Sequence, residues 1–568
     1  MAQSHVTHDD SGVHVPHEWD TWVSAGKTRN YLSDDPLLDW LTLFGEKNGF
    51  RKDTNYDDYD ENLDFLPLLF RLGREFEDAV VKYLKQQHGA ENFVLLGDDY
   101  RHSWNEEKAK ETFDLMKQGI PIILQAVLWN PQNRTYGMPD LLVRSDWLNR
   151  LTDEGSISTS EEHRSAPALE SDYHYRVVDV KFSTLRFSAD NLYLLDSHGS
   201  HSSYKAQLAI YNRALGRLQE YEPPQAYLLG RNWMYVQRNR EYRGKHAMER
   251  LAPVDFSNLD RDYYDIAEEA IAWFRRVRKE GGGWQVFPEP SVPELWPNAK
   301  NGQSFPWDHA KAEIVDKYKD ITRLWQVGFK ERQLAHKQAI YTWNDPALTP
   351  QKLGIMGEKK AKTIEKIIEV NRESNIEIVL PPKIDNNRGG WQQKPELEFF
   401  VDFETVNDLD DDFSSFPYPG GRELIFMVGC GYESPDGEWD FTVFTADELS
   451  VSEETRIVEE WFQHMREVTD RILGEGSDLP NIFHWSYAEL NFMKSTQRNR
   501  EEAAGGATLP EWPELPWFDF LKVMRAEPVV VKGAFGFGLK AIAKNLYKHG
   551  LIETSWEDGP VDGLGAMV

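Results

Sequence analysis

Hydrophobic positions along the first half of the chain alternate between helical and strand-like spacing. Apolar residues recur every three or four positions from Pro36 to about Tyr83, and short apolar runs begin at Ile122. The predicted elements are a helical segment over 36–83, strands between Ile122 and Val143 and at Tyr175–Phe182, a helix at Ser203–Leu218, a strand at Ala226–Leu229 and a helix at Tyr263–Arg278. This alternation predicts an α/β domain that ends before Gly281–Trp284.

Helical spacing returns in the middle of the chain, and strand patterns follow it. Ile314, Tyr318, Ile321 and Trp325 are spaced as one apolar helical stripe, which predicts a helical connector within 307–370. The polar segment 381–396, which contains Pro and Gly, predicts a linker. The elements predicted beyond it are strands at Glu398–Val401, Leu424–Tyr432 and Trp439–Phe444, a helix at Glu453–Ile472 and a strand at Asn481–His484. They indicate a second α/β domain.

The length of 568 residues exceeds what one hydrophobic core usually organises. We therefore expect an α/β multidomain protein. Its predicted parts are a disordered tail at 1–20, a first α/β domain at 21–290, a helical connector at 300–380, a linker at 381–396 and a second α/β domain at 397–568.

Composition removes several classes of function. Lys and Arg number 64 against 94 Asp and Glu, a net charge of −30, so any nucleic-acid partner must meet a local basic patch. Cys430 is the single cysteine, which excludes an internal disulfide, a cysteine-based zinc site and an iron-sulfur cluster. No apolar run is long enough to span a membrane and no secretory signal is evident. We expect an intracellular protein without membrane partners, in the cytoplasm, or in the nucleus or a viral factory if the host is eukaryotic or the source a virus.

Three carboxylates and one lysine form the first candidate site. Period-two geometry places Asp179 and Lys181 on one face of a strand, with the alternate apolar residues on the other face. Asp140 follows Pro139 at the start of another apolar strand, where a turn can aim its carboxylate out of the sheet. Carboxylates from adjacent strands can share a hard divalent cation.

Glu77 adds a carboxylate from a helix, because its neighbours at i+4 and i+7 are Val81 and Leu84 and place it on an inward-facing stripe. Metal ligation would explain a partly buried acid. An ion pair with a nearby basic residue is the alternative, and Asp179 and Lys181 can also form an ordinary structural ion pair.

Together these residues resemble the RecB-like branch of the PD-(D/E)XK nuclease superfamily. The resemblance rests on Glu77 in GREFE, Pro139-Asp140, and Asp179-Val180-Lys181. It gains from Gln207 and Tyr211, which resemble the Q-x-x-x-Y helix that follows the catalytic strands in that branch, and it spans roughly residues 20 to 290.

The resemblance implies a restriction-endonuclease-like α/β core that hydrolyses phosphodiester bonds. Mg²⁺ or Mn²⁺ would be held by Asp140, Asp179 and the Val180 carbonyl, with Glu77 as a further ligand. Lys181 would orient or help deprotonate the attacking water and offset charge on the phosphate. Gln207 and Tyr211 would support the site or contact the nucleic acid strand.

A basic segment with interleaved aromatic residues offers a nucleic-acid contact. Arg231–Arg250 contains Arg231, Arg238 and Arg240 near Trp233, Tyr235 and Tyr242. Such a mixture suits backbone tracking and base stacking. The alternative is a solvated face on which arginines pack along aromatic rings.

The second candidate site begins at Asp402 and Glu404, which face the same side of an apolar strand. This segment resembles the first motif of the RNase H-like, DEDD-type 3′ to 5′ exonucleases. Ile482–Met493 resembles a variant second motif in which Glu489 replaces the usual Asp, and Phe537–Leu546 resembles a helix of those domains. The resemblance implies a metal site at Asp402, Glu404 and Glu489.

The final motif of those exonucleases is missing from this sequence. No Y-x-x-x-D or H-x-x-x-D pattern follows Phe537–Leu546, and the sequence stops at Val568. Asp558 and Asp562 are possible substitutes in a predicted loop. The domain is expected to be either inactive or shorter than its relatives, with Asp519 and His484 in structural roles.

Two shorter motifs are weaker. Leu353–Ile368 resembles a helix-hairpin-helix, in which Lys359 and Lys360 would contact phosphates, although Ile355 replaces its first glycine. An ordinary lysine-rich helix start explains the segment equally well. Gly26-Lys27-Thr28 lacks the glycine that a phosphate-binding loop needs at Thr21, so ATP binding is not expected.

The sequence as a whole predicts a metal-dependent nuclease that acts on DNA rather than RNA, with exonuclease action favoured. Two alternatives remain open. A nucleic-acid-binding or processing subunit with decayed sites would bind DNA without Mg²⁺-dependent cleavage. A carbohydrate-active hydrolase would use the 20 Trp residues and paired acids, but it leaves Lys181 and the spacing of Gln207 and Tyr211 unexplained.

Overall fold

A computed structural model describes residues 18–57, 59–60, 65–97, 99–197, 199–372, 374–406 and 411–554. They form a mixed α/β multidomain protein, as predicted. Within these residues, no helix is both long and apolar enough to cross a membrane. The chain divides into two compact units. The first comprises Met1–Pro297, Asn301–Ile314 and Asp412–Gly420, and the second comprises Asn298–Lys300, Val315–Asp411 and Gly421–Val568.

The first unit alternates strands and helices. Its helices are α1 Arg29–Leu32, α2 Leu37–Trp40, α3 Phe65–His88, α4 Glu106–Lys117, α5 Ser145–Leu148, α6 Thr159–Glu162, α7 His201–Gln219, α8 Tyr263–Glu280 and α9 Asp308–Tyr318, within which the division between the units falls. Its strands are β1 Val23–Ser24, β2 Phe93–Leu95, β3 Ile122–Leu124, β4 Leu128–Asn130, β5 Thr135–Gly137, β6 Leu141–Arg144, β7 Tyr175–Arg186, β8 Gln225–Gln237, β9 Arg240–Arg243 and β10 Ala252–Asp255.

The main sheet of this unit has the order β10-β8-β7-β6-β3-β2, with β9 paired to β8. Strand β7 runs antiparallel to β6 and parallel to β8. Leu141 of β6 lies opposite Val178, which brings Asp140 beside Asp179. The register between β7 and β8 shifts after Lys181, so β7 is irregular directly beyond this residue.

Both faces of the sheet are covered by helices. Val178 and Val180 pack with Phe76 of α3, whereas Val177 packs on the opposite face with Leu208 of α7. The period-two prediction for this strand is therefore confirmed. Asp179 and Lys181 share the face of Val177, and Asp179 is 1% exposed.

The second unit contains α10 Phe329–His336, α11 Glu358–Asn371, α12 Val451–Leu473, α13 Ala488–Ala503, α14 Phe520–Ala526 and α15 Leu539–Lys548. Its strands are β11 Val379–Leu380, β12 Phe399–Val406, β13 Leu424–Glu433, β14 Trp439–Thr445, β15 Ile482–His484, β16 Trp517–Asp519 and β17 Val530–Val531. The main sheet has the order β14-β13-β12-β15-β16. The first three strands are antiparallel neighbours, and β15 and β16 run parallel to β12.

The predicted linker and most of the predicted connector, from Val315 onward, belong to this second unit. Ile364 and Ile367 of α11 share a core with Val530 and Ile542. Within 381–396, the Trp391 ring packs 5.2 Å from Phe520. Shared apolar burial thus joins residues of 315–380, 381–396 and the described part of 397–568, which the polar composition of the linker did not indicate.

Two of the predicted helical segments contain more than one element. Within 36–83, the α2 region ends at Gly49, whose φ is +86°, and the next helix of more than one turn is α3. The stripe from Ile314 to Trp325 does not lie on one helix. Lys319 has φ +53° just after α9, and the Asp320 side chain accepts a hydrogen bond from Thr322 N–H, which starts a separate turn.

The predicted tail lies mostly outside the described residues, which begin at Glu18. Trp19–Thr21 forms a short 3-10 helix, and the Trp19 ring packs 5.5 Å from Trp129. Residues 18–20 thus contact the folded first unit.

We expect Gly137→Ala to destabilise the first unit. A Cβ on Gly137 would lie 2.2 Å from Cε1 of the buried Tyr211, so the ring or β5 would have to move. Overpacking of this kind costs about 1–3 kcal/mol. Urea unfolding followed by tryptophan fluorescence should show a transition at lower urea concentration.

Gly73→Ala is the matched control, because a Cβ on this α3 glycine meets no atom within 4 Å. Alanine in a helix should leave stability unchanged or raise it by about 0.5–1 kcal/mol. Wild-type unfolding of Gly137→Ala would contradict the close contact with Tyr211.

Candidate active site

The centre of the first site is a hydrogen-bonded pair of aspartates next to a lysine. Asp140 Oδ2 accepts a 2.6 Å hydrogen bond from Val180 N–H, and Asp140 N–H lies 3.4 Å from Asp179 Oδ1. Lys181 Nζ lies 2.5 Å from Asp179 Oδ2. The sheet register places both carboxylates and the ammonium group within a few ångströms of each other.

Glu77 joins this group through Gln125, a residue that the sequence analysis missed. The Gln125 side-chain amide donates to Glu77 Oε1 and, at 3.2 Å, to Asp140 Oδ1. Gln125 has φ +51° directly after β3, a left-handed conformation that is uncommon for a residue with a side chain. The available signal was a polar residue at the end of an apolar strand.

Negative charge exceeds positive charge at this site. Burial, Asp179 and Glu77 raise the pKa of Asp140 well above its usual range. Burial and the charge of Asp179 also raise the pKa of Glu77. Burial opposes the charge on Lys181, but Asp179 and Asp140 outweigh it and raise the pKa of its ammonium group. Lys181 is therefore a cation at neutral pH.

Helix α7 covers the lysine and aspartates with Gln207 and Tyr211. Gln207 Nε2 donates a 2.8 Å hydrogen bond to Tyr211 Oη, and burial followed by the charge of Asp179 raises the pKa of Tyr211. Tyr204, on the same helix, places its ring 5.5 Å from Lys181 Nζ. Gln207 and Tyr211, the predicted pair, thus lie at the site, with Tyr211 near Asp179.

The site opens into a cleft of about 470 Å³ within the first unit. Glu77, Asp140, Lys181 and Gln207 line it, together with the basic residues Arg29 and Arg74. A ligand in the cleft would therefore meet both the carboxylates and positive charge.

The donor set fits a hard divalent cation. Within the described residues, no three Asp, Glu, His or Cys side chains already converge as metal ligands. Glu77, Asp140 and Asp179 nevertheless provide carboxylate oxygens against one ammonium group, and burial followed by the charge of Asp179 raises the pKa of both Glu77 and Asp140. Oxygen ligands with excess negative charge are what Mg²⁺ and Mn²⁺ prefer.

The predicted basic segment forms the hairpin of β8 and β9. The rings of Trp233, Tyr235 and Tyr242 stack in a row, with centroid distances of 6.1 and 4.7 Å. Arg240 lies over Tyr242 at 5.2 Å. Arg231 lies over Phe182 at 5.1 Å, and Arg238 is at the turn with φ +50°. Arginines thus pack along aromatic rings here, as expected for the alternative in which this segment is a solvated face.

In the second unit, acidic residues gather at the carboxyl ends of parallel strands. Asp402 and Glu404 lie on the face of β12 opposite the buried Val401 and Phe403, as predicted. Glu489 is 5% exposed at the start of α13. Desolvation and the charge of Glu489 raise the pKa of Asp402, so these two acids are neighbours.

Asp519 ends β16 at the same edge, opposite His484 of β15. It accepts a 3.1 Å hydrogen bond from Ser486 N–H, and His484 Nδ1 lies 3.2 Å from Glu489 Oε2. The sequence analysis gave Asp519 only a structural role. Its position at the end of a short apolar strand was the signal that could have indicated a site residue. The substitutes Asp558 and Asp562 lie outside the described residues.

Lys359 and Lys360 lie in the first turn of α11, which begins after Gly357. Both line a groove of about 370 Å³ in the second unit, together with Asp519. The structure thus brings the lysines of the predicted helix-hairpin-helix to the same groove as an acid of the second site.

Comparison with known proteins adds no relative. The chain matches no protein-family model, and a search of the curated proteins finds no match. The functional argument therefore depends on the residues and contacts described above.

Proposed function

We propose that the first unit is a metal-dependent nuclease that hydrolyses phosphodiester bonds, with DNA as the favoured substrate and exonuclease action favoured. The observation that carries the proposal is that Asp140 and Lys181, which line an open cleft, both contact the buried Asp179. A structural ion pair needs neither a second aspartate nor Glu77 beside it. Excess carboxylates in a cleft are typical of a metal-assisted hydrolase.

The sheets support the proposed assignment of both units. In the first unit, Asp179 and Lys181 lie on a central strand of a mixed sheet, and α7 carries Gln207 and Tyr211 beside them. This arrangement supports a restriction-endonuclease-like core. In the second unit, the strand order β14-β13-β12-β15-β16, with Asp402 on the central strand, supports an RNase H-like domain.

Each residue of the first site then has a defined role. Asp140, Asp179 and Glu77 would hold Mg²⁺ or Mn²⁺, which when bound would offset charge on the phosphate and acidify water. Gln125 positions Glu77 and Asp140 through its shared amide. Lys181, which stays protonated beside Asp179, donates hydrogen bonds to the phosphate or to the attacking water and stabilises developing negative charge.

Divalent metal should stabilise the folded protein. Mn²⁺ at about 100 times its dissociation constant stabilises the folded state by about 2.7 kcal/mol, which a thermal-shift measurement detects. Asp140→Asn should remove most of this increment because it removes a ligand. The same change should not lower the stability of the metal-free protein, because it also removes a repelling charge.

Asp172→Asn is the matched control, since Asp172 is exposed in the same unit. It should keep the full response to Mn²⁺. An equal response of wild type and Asp140→Asn would contradict metal binding at this site.

Lys181→Ala should lower DNA cleavage by about 100- to 1,000-fold, the usual effect of losing one donor to a transition state. The assay uses end-labelled linear and closed circular DNA, single- and double-stranded, with Mg²⁺ or Mn²⁺. Lys82→Ala, an exposed lysine of α3, is the control and should cleave as wild type. A thermal melt of each variant checks folding.

The variant Asp402→Ala tests which of the two units carries the cleavage activity. Loss of cleavage only in Lys181→Ala would assign the chemistry to the first unit, whereas loss only in Asp402→Ala would move it to the second. Binding of DNA by wild type without any cleavage would replace the proposal with a non-catalytic binding role.

A further inference from the structure

A basic groove in the second unit combines side chains from two separate helices. Lys359 and Lys360 reach it from α11, and Lys522 and Arg525 reach it from α14. Asp519 is the one acid among the residues that line it. In a protein of net charge −30, four cations against one carboxylate make a local positive surface.

Of these four cations, one, Lys522, forms an ion pair within the described residues. In the described part of the chain, the side chains of Lys359, Lys360 and Arg525 form no ion pair with a carboxylate, and Lys522 lies 3.5 Å from Asp519 Oδ2. The neighbouring Lys362, by contrast, pairs with Glu358 at 2.7 Å and does not line the groove. The groove therefore keeps its positive charge for a ligand.

Aromatic rings line the same groove. Tyr487 is 56% exposed, so its ring is accessible to a ligand. The Trp325 ring, by contrast, is packed against its neighbours. The Arg525 guanidinium lies over it at 5.3 Å, and the Phe537 ring lies 5.3 Å from it. An exposed ring beside several cations suits a strand whose bases are unpaired and whose phosphates need neutralising.

We propose that this groove binds single-stranded nucleic acid, with phosphates on Lys359, Lys360, Lys522 and Arg525 and a base stacked on Tyr487. The proposal rests on the proposed function only in taking nucleic acid as the partner. Tyr487 is two residues from Glu489, and Asp519 lines the groove, so a strand bound there would reach the carboxylates of the second unit. The groove thus gives the helical segment α11 a role in presenting a strand to these acids.

Fluorescence anisotropy of the full-length protein tests the groove. The probe is a labelled oligothymidylate of about 16 nucleotides, the upper site size of a single-strand-binding module. EDTA in the buffer prevents cleavage. An oligouridylate and a DNA duplex of the same length are measured in parallel, over a range of salt concentrations.

Removing two phosphate contacts should change the salt dependence. The double variant Lys359→Gln/Lys360→Gln should bind more weakly, and its salt slope should fall by about 1.4, at about 0.7 per phosphate contact. The matched control is Lys330→Gln/Lys337→Gln, which removes the same charge from exposed positions of the second unit outside the groove. It should leave the slope unchanged.

Tyr487→Ala should weaken binding of the single strand about 5- to 150-fold without changing the salt slope, because it removes stacking and not charge. Either oligothymidylate or oligouridylate bound in this way supports the proposal. A duplex bound as tightly as the single strand, with no effect of Tyr487→Ala, would overturn it. Equal effects of the two lysine double variants, or no binding of either oligonucleotide by wild type, would also overturn it.

The proposal for the groove and the proposal for the first site can be refuted independently. Wild-type binding by the groove variants, together with loss of cleavage in Lys181→Ala, would refute the groove and leave the proposed nuclease intact. The reverse pattern, in which wild type cleaves nothing but binding depends on Lys359, Lys360 and Tyr487, would keep the groove and refute the nuclease.

Discussion

Repulsion between Glu77, Asp140 and Asp179 is the constraint on which the first unit depends. Burial and the charges of neighbouring carboxylates disfavour the ionised forms of Glu77 and Asp140, and a single ammonium group, that of Lys181, pairs with Asp179. The backbone offsets part of this cost, because Val180 N–H donates to Asp140. A fold that holds such charges close together without a ligand gives up stability that a bound cation can restore.

The rest of the unit keeps these groups in place. The pairing of β6 with β7 sets Asp140 beside Asp179, and α7 closes one side with Tyr211. Gly137 allows the Tyr211 ring to approach β5, since any side chain there would collide with it. The left-handed backbone of Gln125 turns its amide toward two acids. The lack of a side chain at Gly137 and the left-handed backbone of Gln125 thus both hold the same carboxylate cluster in place.

Local spacing explains which parts of the structure were predictable. The faces of Asp179 and Lys181 follow from the alternation of one strand, and Gln207 and Tyr211 follow from one helical turn. The bridging role of Gln125 depends on the packing of α3 against the sheet, which no local pattern contains. The same holds for 381–396, whose polar composition indicates a linker, although Trp391 packs against a distant helix.

The two units share one chemical feature, a pocket lined by both basic and acidic side chains. Acidic side chains dominate the chain, so positive charge has meaning only where several cations remain unpaired in one place. The first cleft has Arg29 and Arg74 in the same pocket as its carboxylates, and the groove of the second unit has Lys359 and Lys360 in the same pocket as Asp519. In both places, cations that can hold a polyanion line the same pocket as acids that can hold a metal. Lys181 and Lys522 are each paired with an acid, so the proposed phosphodiester substrate would meet the other cations that line the two pockets.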